Sequence, residues 1–194
     1  MKYANAIRTC PLSCHEALIA YLTFYLPSIT YPLPACTISQ SALRQIDQPM
    51  TNAILSKLGF IQKFPREVAY SPRHFGGIGL RDLYCKQGIG HLKQVLNHIR
   101  ANNKRGKRLL INIDQYQLLA GISTPVLEQT HTIPGTRNVW LSHLRLFLRT
   151  INCQLCLHQP WTFPALRTSD VHLMDVISIS TTWTNHGNKI FNMV

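Results

Sequence analysis

Apolar residues recur at intervals of three and four along much of this chain, and this spacing constrains the fold more than any other feature of the sequence. Such spacing places apolar side chains on one face of an α-helix. It predicts one helix over 82–101, with Ile89, Leu92, Leu96 and Ile99 as its stripe, and another over 138–155. We therefore expect a mainly α protein, an irregular helical bundle with little or no sheet.

Prolines divide the N-terminal part of the chain. The run 17–26 is apolar and uncharged, and it predicts a helix from residue 13 or 14 to 26, ended by Pro27. The stretch 28–34 contains two more prolines and is expected to be extended, because proline restricts the residue before it. The prolines also interrupt the run well before the ~20 apolar residues of a membrane span. No membrane segment or signal peptide is predicted, and an intracellular location, nuclear or cytoplasmic, is expected.

Capping signals predict two short helices that meet at a corner. Thr37 followed three residues later by Gln40 is typical of a capping box, and the helix that it starts is expected to end near Asp47. Pro49 suits the first turn of a helix better than its interior. A second helix is therefore expected from there to Gly59, since glycine is typical of helix C-termini.

The segment 61–108 is expected to contain less regular structure. Its first ten residues include Pro65 and predict extended chain with one short strand. A tight turn is expected at Gly76, Gly77 and Gly79, since glycine adopts positive φ readily. The polar string 102–108 is expected to be a loop, and a further helix is expected over 109–119.

Positive charge is concentrated in one part of the chain. The segment 57–108 contains twelve Lys and Arg residues and two acids, so it carries +10 of the formal +12. A polyanion-binding surface needs such a concentration, because each cation near a phosphate displaces a counterion. The residues expected to contact phosphate are Arg73, Lys86, Lys93, Arg100, Lys104, Arg105, Lys107 and Arg108.

Aromatic residues lie among these cations, and they suit base or sugar stacking. They are Phe60, Phe64, Tyr70, Phe75 and Tyr84. The alternative is a solvated basic face above buried aromatic side chains, because charge clustering alone does not identify a partner.

The glycine turn has two interpretations. It lacks the spacing and the Lys-Ser/Thr pair of a P-loop, so a structural turn is the simpler interpretation. In the second interpretation, its backbone N–H groups beside Arg73 and His74 hold a phosphate.

Signals of catalysis or metal binding are scarce. The eight acids include no adjacent pair, whereas two-metal chemistry needs several carboxylates converging on ions about 4 Å apart. Two cysteine pairs allow a zinc hypothesis: Cys10 and Cys14 before His15, and Cys153 and Cys156 before His158. The second pair lies in a predicted helix, where cysteines behave as small hydrophobes, and we expect reduced, mostly buried thiols. No catalytic residue, metal or cofactor is predicted.

One stretch resembles a known family. Residues 70–100 contain a proline, a short spacer, a glycine-rich string and a leucine-spaced helix. The residues concerned are Pro72, Gly76, Gly77, Ile78, Gly79 and Leu80, with Leu83, Leu92 and Leu96 after them. This pattern resembles the region that follows the polymerase palm in reverse-transcriptase-like proteins of eukaryotic non-LTR retroelements. Residues 25–60 are similar to the thumb-like helices of that family, and 140–145 and 167–174 contain later landmarks.

The resemblance implies a fragment without polymerase activity of its own. The family's palm carries a metal-binding aspartate pair, and no Asp-Asp occurs in this chain, so the palm is expected upstream of Met1. The implied organisation is 1–60 as thumb-like helices, 61–108 as a basic segment with a glycine turn and a helix, 109–175 as a C-terminal helical part and 176–194 as a weakly structured tail. The implied role is non-specific binding of RNA–DNA or duplex DNA backbone, with a separately encoded palm domain as a further partner.

Two other hypotheses remain. In one, the protein is a helical interaction protein or an inert one, and the string KRGKR at 104–108 is a nuclear-localisation-like loop. In the other, the chain is a truncated reading frame without a stable fold, because a thumb separated from its palm exposes apolar surface.

Overall fold

A computed structural model of the protein describes residues 2–122, 124–128 and 139–157. These ranges contain helices, turns and loops but no strand, which confirms the expected mainly α fold. The α-helices are α1 (Lys2–Thr9), α2 (Cys14–Ala20), α3 (Leu26–Thr30), α4 (Gln40–Lys57), α5 (Arg66–Tyr70), α6 (Leu83–Arg100), α7 (Lys104–Ala120) and α8 (Val139–Thr150). The expected tail at 176–194 and the landmarks at 167–174 lie outside the described residues.

The chain divides into two compact units. The first unit is Met1–His91 and the second unit is Leu92–Val194, so the boundary falls within α6. The core of the first unit is formed by Ala4, Ile7, Ala17, Leu18, Tyr21, Tyr25, Met50, Ala53, Ile54, Leu55, Ala69 and Leu80. The core of the second unit is formed by Val95, Ile113, Tyr116, Ala120, Ile122, Val126, Leu127, Leu141, Leu144 and Leu148.

The expected end of the first apolar helix at Pro27 is wrong. A π-helical turn, Tyr21–Tyr25, follows α2, and the N–H of Leu26 donates to the carbonyl of Tyr21, five residues earlier. A proline ring clashes with the carbonyl four residues before it in an α-helix, and the wider π turn relieves this clash. The chain therefore stays helical through α3 and a 3-10 turn at Leu33–Ala35, where extended chain was expected. Among the described residues, none of the helices combines the length and apolarity that crossing a bilayer requires.

The two short helices expected around Pro49 are one continuous helix, α4. Its N-cap is Ser39 rather than Thr37, and the Ser39 hydroxyl accepts from the N–H of Ala42. Proline inside a helix costs ~3 kcal/mol. The helix nevertheless continues, because α4 buries apolar residues on both sides of Pro49, with Leu43 before it and Met50 and Ile54 after it.

The expected stop at Gly59 is confirmed. Gly59 has φ +79°, and its N–H donates to the carbonyl of Ser56 at 3.2 Å. The N–H of Phe60 donates to the carbonyl of Leu55 at 2.8 Å. This pair of bonds satisfies carbonyls that the end of α4 would otherwise leave without donors.

The apolar stripes predicted the later helices more accurately than the polar strings predicted the loops. Helix α6 confirms the prediction over 82–101, and α7 includes the predicted helix over 109–119. Helix α8 ends earlier than expected, because Asn152 adopts φ +52° and turns the chain. The extended chain expected over 61–70 is wrong at its end, where α5 is helical.

Asp47 is a buried carboxylate in the first unit. Its Oδ1 accepts a hydrogen bond from Tyr25 Oη at 2.9 Å, and its Oδ2 accepts from Thr51 Oγ1 at 3.0 Å and from Tyr70 Oη at 3.4 Å. A buried charge is stable only when donors replace the lost water, so these hydroxyls connect α4 with the π turn and α5. Burial raises the pKa of Asp47 above its ordinary value, although the three hydroxyl donors oppose this shift.

Replacing Tyr25 by Phe should destabilise the first unit. The change removes the donor to Asp47 but keeps the ring that stacks on Tyr21 at 5.7 Å between centroids. A hydrogen bond to a charged group contributes about 1.5–3 kcal/mol, and we expect a loss of this size in urea unfolding. Tyr31→Phe is the matched control, because Tyr31 is 90% exposed. Equal losses from both variants would contradict the role assigned to the Tyr25 hydroxyl.

Asp47→Asn should change how stability depends on pH. Because the pKa of Asp47 is higher in the folded state than in the unfolded state, the folded chain binds more protons between the two values. The contribution of Asp47 is therefore most favourable below its ordinary pKa and declines as pH rises through the raised folded pKa. The free energy of unfolding of Asp47→Asn, relative to the unsubstituted chain, should increase from acidic to neutral pH. A difference that is independent of pH would count against this account.

Candidate nucleic-acid interface

The basic string expected to be a loop at 102–108 is the start of a helix. Asn103 is the N-cap of α7, and its Oδ1 accepts from the N–H of Gly106 at 2.8 Å. Asn102 turns the chain between α6 and α7 with φ +44°. The expectation is wrong because Asn103 supplies the side-chain acceptor that a helix start needs, and this outweighs the low helix propensity of Gly106.

Gly106 brings the backbones of α6 and α7 into contact. It is buried, and a Cβ added to it would overlap the carbonyl oxygen of His98. Any larger residue must separate the two helices or distort them. The glycine therefore fixes where the first turn of α7 lies against the end of α6.

The cations around this contact form a surface that we call the basic corner. Its members are Arg100, Lys104, Arg105, Lys107 and Arg108, and all five are exposed. At about 100° per residue, the four on α7 span an arc of about 160° on the side opposite Gly106. Within the described part of the chain, no salt bridge involves any of them.

Electrostatics within the basic corner are unfavourable in the isolated chain. The first turn of α7 contains no acid, so Lys104 and Arg105 lie at the positive end of the helix dipole. Lys104 and Arg108 are also four residues apart, a spacing at which like charges repel. A bound anion would relieve both effects, since a helix N-terminus and clustered cations each attract negative charge.

The remaining predicted contacts are divided between the two units. Lys93 is exposed on α6 and lies seven residues before Arg100, which places both near the same face of that helix. Arg73 is exposed and Lys86 is half-buried, and both belong to the first unit. Six of the eight predicted phosphate contacts therefore lie in the second unit.

The backbone geometry of the glycine turn supports the interpretation of a structural turn. Gly76 and Gly79 have φ +80° and +82°, and a Cβ at Gly77 would overlap the backbone of Ser71. The N–H groups of residues 76 to 80 donate, in order, to the carbonyls of Arg73, Pro72, Val68, Ser71 and Ala69. Because these donors bond to the chain itself, they do not form the phosphate cradle of the second interpretation.

The aromatic residues among the cations differ in exposure. Tyr84 is buried and Phe64 and Tyr70 are half-buried, as expected if they pack beneath a basic face. Phe60 is 39% exposed, but its ring packs against Phe64 at 4.5 Å between centroids. Phe75, at 79% exposure, is the member of this set that offers most of its ring for stacking.

The cysteines differ from expectation. All six are free, but Cys10, Cys14, Cys153 and Cys156 are exposed and Cys36 and Cys85 are half-buried. The expected burial is wrong, because none of the six is fully buried. Cys153 and Cys156 are exposed because both follow the end of α8 instead of lying within it. Burial and the neighbouring Asp82 carboxylate raise the pKa of the Cys85 thiol to about 11, so it stays protonated at neutral pH.

Groups suited to metal binding do not converge within the described ranges, where no three His, Cys, Asp or Glu residues lie close enough to hold an ion. His158 of the second zinc hypothesis lies outside those ranges. His91 is buried on α6, and its Nε2 lies 3.0 Å from the carbonyl oxygen of Cys36. That contact agrees with a packing role for the His91 imidazole.

Sequence analysis missed the residues that position the charge. Asn103 and Gly106 were hidden within a polar string that is typical of loops. An asparagine immediately before an amphipathic run was the available signal, because it is a common helix N-cap.

No protein-family model matches this chain, and neither a curated protein nor a solved structure does. The resemblance to the region after the reverse-transcriptase palm therefore rests on the sequence patterns alone, of which the motif in residues 70–100 is the most distinctive.

Gly106→Ala should destabilise the second unit. In an exposed helix interior, replacing glycine by alanine gains about 1 kcal/mol. Here the new methyl group must displace the backbone of His98, and overpacking of this kind costs about 1–3 kcal/mol. Thermal unfolding should show a lower midpoint for Gly106→Ala. Gln115→Ala, at an exposed position of the same helix, should leave the midpoint nearly unchanged, and a stabilised Gly106→Ala would refute the close approach.

Proposed function

We propose that this protein binds the sugar–phosphate backbone of RNA–DNA or duplex DNA without reading base sequence, and that the basic corner and Lys93 make the contacts. The observation that carries this proposal is the set of five exposed cations within nine residues at the α6–α7 turn, four of them on the side of α7 opposite the buried Gly106. Contacts from Lys and Arg to phosphates position a duplex but carry no sequence information.

The distribution of charge supports a polyanion over a single small anion. The cations of the basic corner face outward over a wide arc of α7, and Lys93 extends the charge along α6. Such a surface meets several phosphates at once, and each contact releases a counterion. Arginine adds fork-like pairing with phosphate oxygens, and lysine adds a compact charge.

The proposed role is binding without catalysis. It agrees with the resemblance to a thumb and connection region, whose helices hold a primer–template duplex. A separately encoded palm domain would be a further partner of this chain. An intracellular location, nuclear or cytoplasmic, belongs to the same proposal.

The nuclear-address hypothesis assumed a basic loop at residues 104–108, where the chain is helical. Residues 104–108 lie in α7, and Gly106 among them is buried against α6. A receptor that recognises extended basic chain would have to unwind this helical turn. The address remains an alternative to backbone binding, and duplex affinity separates the two.

Replacing Lys104, Arg105, Lys107 and Arg108 by Gln should weaken duplex binding without weakening the fold. Each lost phosphate contact should reduce the slope of log K against log salt by about 1. Stability should be unchanged or higher, because removing cations from a helix N-terminus is favourable by about 0.3–1 kcal/mol each in the first turn. Fluorescence anisotropy of a labelled duplex at several salt concentrations, together with thermal unfolding, measures both effects.

The matched control replaces four exposed cations of the first unit, Lys2, Arg8, Arg44 and Lys63, by Gln. It lowers the net charge equally and should retain most of the salt-dependent affinity. Equal losses of duplex affinity from both variants would mean that binding depends on net charge and not on the basic corner. Full duplex affinity in the α7 variant would remove the basic corner as the interface.

A further inference from the structure

The first unit contains a groove beside the glycine turn, whereas the basic corner belongs to the second unit. It has a volume of about 420 Å³, within the ~300–1,000 Å³ of small-ligand pockets. Leu18, Leu22 and Pro72 provide apolar walls. Arg73, His74, Gly79 and Arg81 complete the lining, so no carboxylate of the described chain contributes to it.

The two arginines of this groove are positioned by its own structure. Arg73 Nε donates to the carbonyl of Ile78 at 3.3 Å, and the Arg73 side chain lies over Gly79, where a Cβ would come within 3.2 Å of its Cγ. The backbone N–H of Arg81 donates to Tyr21 Oη at 3.1 Å, and Tyr21 is buried. The side chains of both arginines are exposed above these anchored positions.

His74 of the groove lining forms an aromatic pair with the next residue, Phe75. The rings of His74 and Phe75 are 4.1 Å apart between centroids and inclined at 48°. Phe75 is 79% exposed, although the backbone that carries it is fixed by the hydrogen bonds of the glycine turn. An exposed ring on a fixed turn is suited to stacking, because little conformational entropy is lost when a partner binds.

We propose that this groove binds an unpaired nucleotide of a single-stranded nucleic acid. The base lies against Leu18 and Leu22 and stacks on His74, and Phe75 extends the stacking surface. Arg73 and Arg81 hold the flanking phosphates. Proteins that bind single strands combine aromatic platforms with cations along the backbone in this way.

Complementarity favours a nucleotide over an acidic peptide. Both ligands would satisfy the charge of Arg73 and Arg81, but the apolar walls and the His74 ring also require a flat apolar surface. A nucleobase provides that surface beside a phosphate, whereas the acidic side chains of a peptide do not. The inference does not rest on the proposed function, because all lining residues lie in the first unit.

The test compares two doubly substituted proteins. His74→Ala with Arg81→Gln removes the ring and a cation of the groove, and both side chains are exposed, so folding should persist. The matched control is His15→Ala with Arg44→Gln, which removes an exposed histidine and an exposed arginine outside the groove. Anisotropy of labelled oligothymidylate should show about a tenfold loss of affinity for the groove variant and little loss for the control.

Two further ligands identify what the groove recognises. An abasic oligomer of equal length should bind the unsubstituted protein more weakly than oligothymidylate. The groove variant should lose less affinity for the abasic oligomer than for oligothymidylate, because only the phosphate contact of Arg81 remains to be lost. Polyglutamate should compete poorly with oligothymidylate. Phe75→Ala, a second variant, should also reduce oligothymidylate affinity.

The inference is overturned if the groove variant binds oligothymidylate as tightly as its control. Equal affinity for the abasic oligomer, or equal competition by polyglutamate, also overturns it, because the base would then contribute nothing. Failure here is distinct from failure of the proposed function. The groove variant should retain duplex affinity, whereas substitution of the α7 cations should lower it.

Discussion

The contact between the α6 and α7 backbones at Gly106 and His98 determines where the charge of the second unit lies. Without a Cβ at this position the two helices touch, and the N-cap at Asn103 starts α7 immediately after a turn of three residues. The basic residues that follow are therefore part of a helix with one buried side, and they project from the other. A flexible loop of the same composition would have distributed this charge over many conformations. The close approach converts a basic sequence into a surface of defined shape.

The first unit depends on a different constraint, which is the accommodation of prolines and a buried carboxylate within packed helices. The π turn carries the chain through Pro27, and it also places Tyr25 where its hydroxyl reaches Asp47. Tyr21 of the same turn bonds to the backbone of Arg81. The local departure from α-helix thus connects the polar core of this unit with one side of the groove. The N–H groups of the glycine turn in the first unit donate to carbonyls of the chain itself. Contacts with a ligand at this turn therefore come from side chains.

The residues that surround the cations differ between the two units, and the two proposals follow from this difference. The basic corner consists of five cations and includes no aromatic residue, which favours contacts with phosphates. In the groove, two arginines flank apolar walls and an aromatic pair, which favours contact with a base as well. Charge density by itself therefore indicates the phosphate contacts of the basic corner better than the contact with a base in the groove. The difference lies in what surrounds each cation and not in the number of cations.

The sequence by itself determined the mainly α class, the helices of 82–101 and 109–119 and the stop at Gly59, because apolar period and glycine C-caps act over a few residues. It also determined that the charge gathers in 57–108. Tertiary structure decided that Pro27 and Pro49 lie inside helices, since burial of a continuous apolar face offsets a local cost that sequence rules treat as a break. It likewise decided that Gly106 within KRGKR is buried against His98 and that Arg81 and His74 share a groove with Leu18 and Leu22. Those outcomes depend on contacts between different helices and turns, such as Leu18 and Arg81 on one groove, and no local pattern records such contacts.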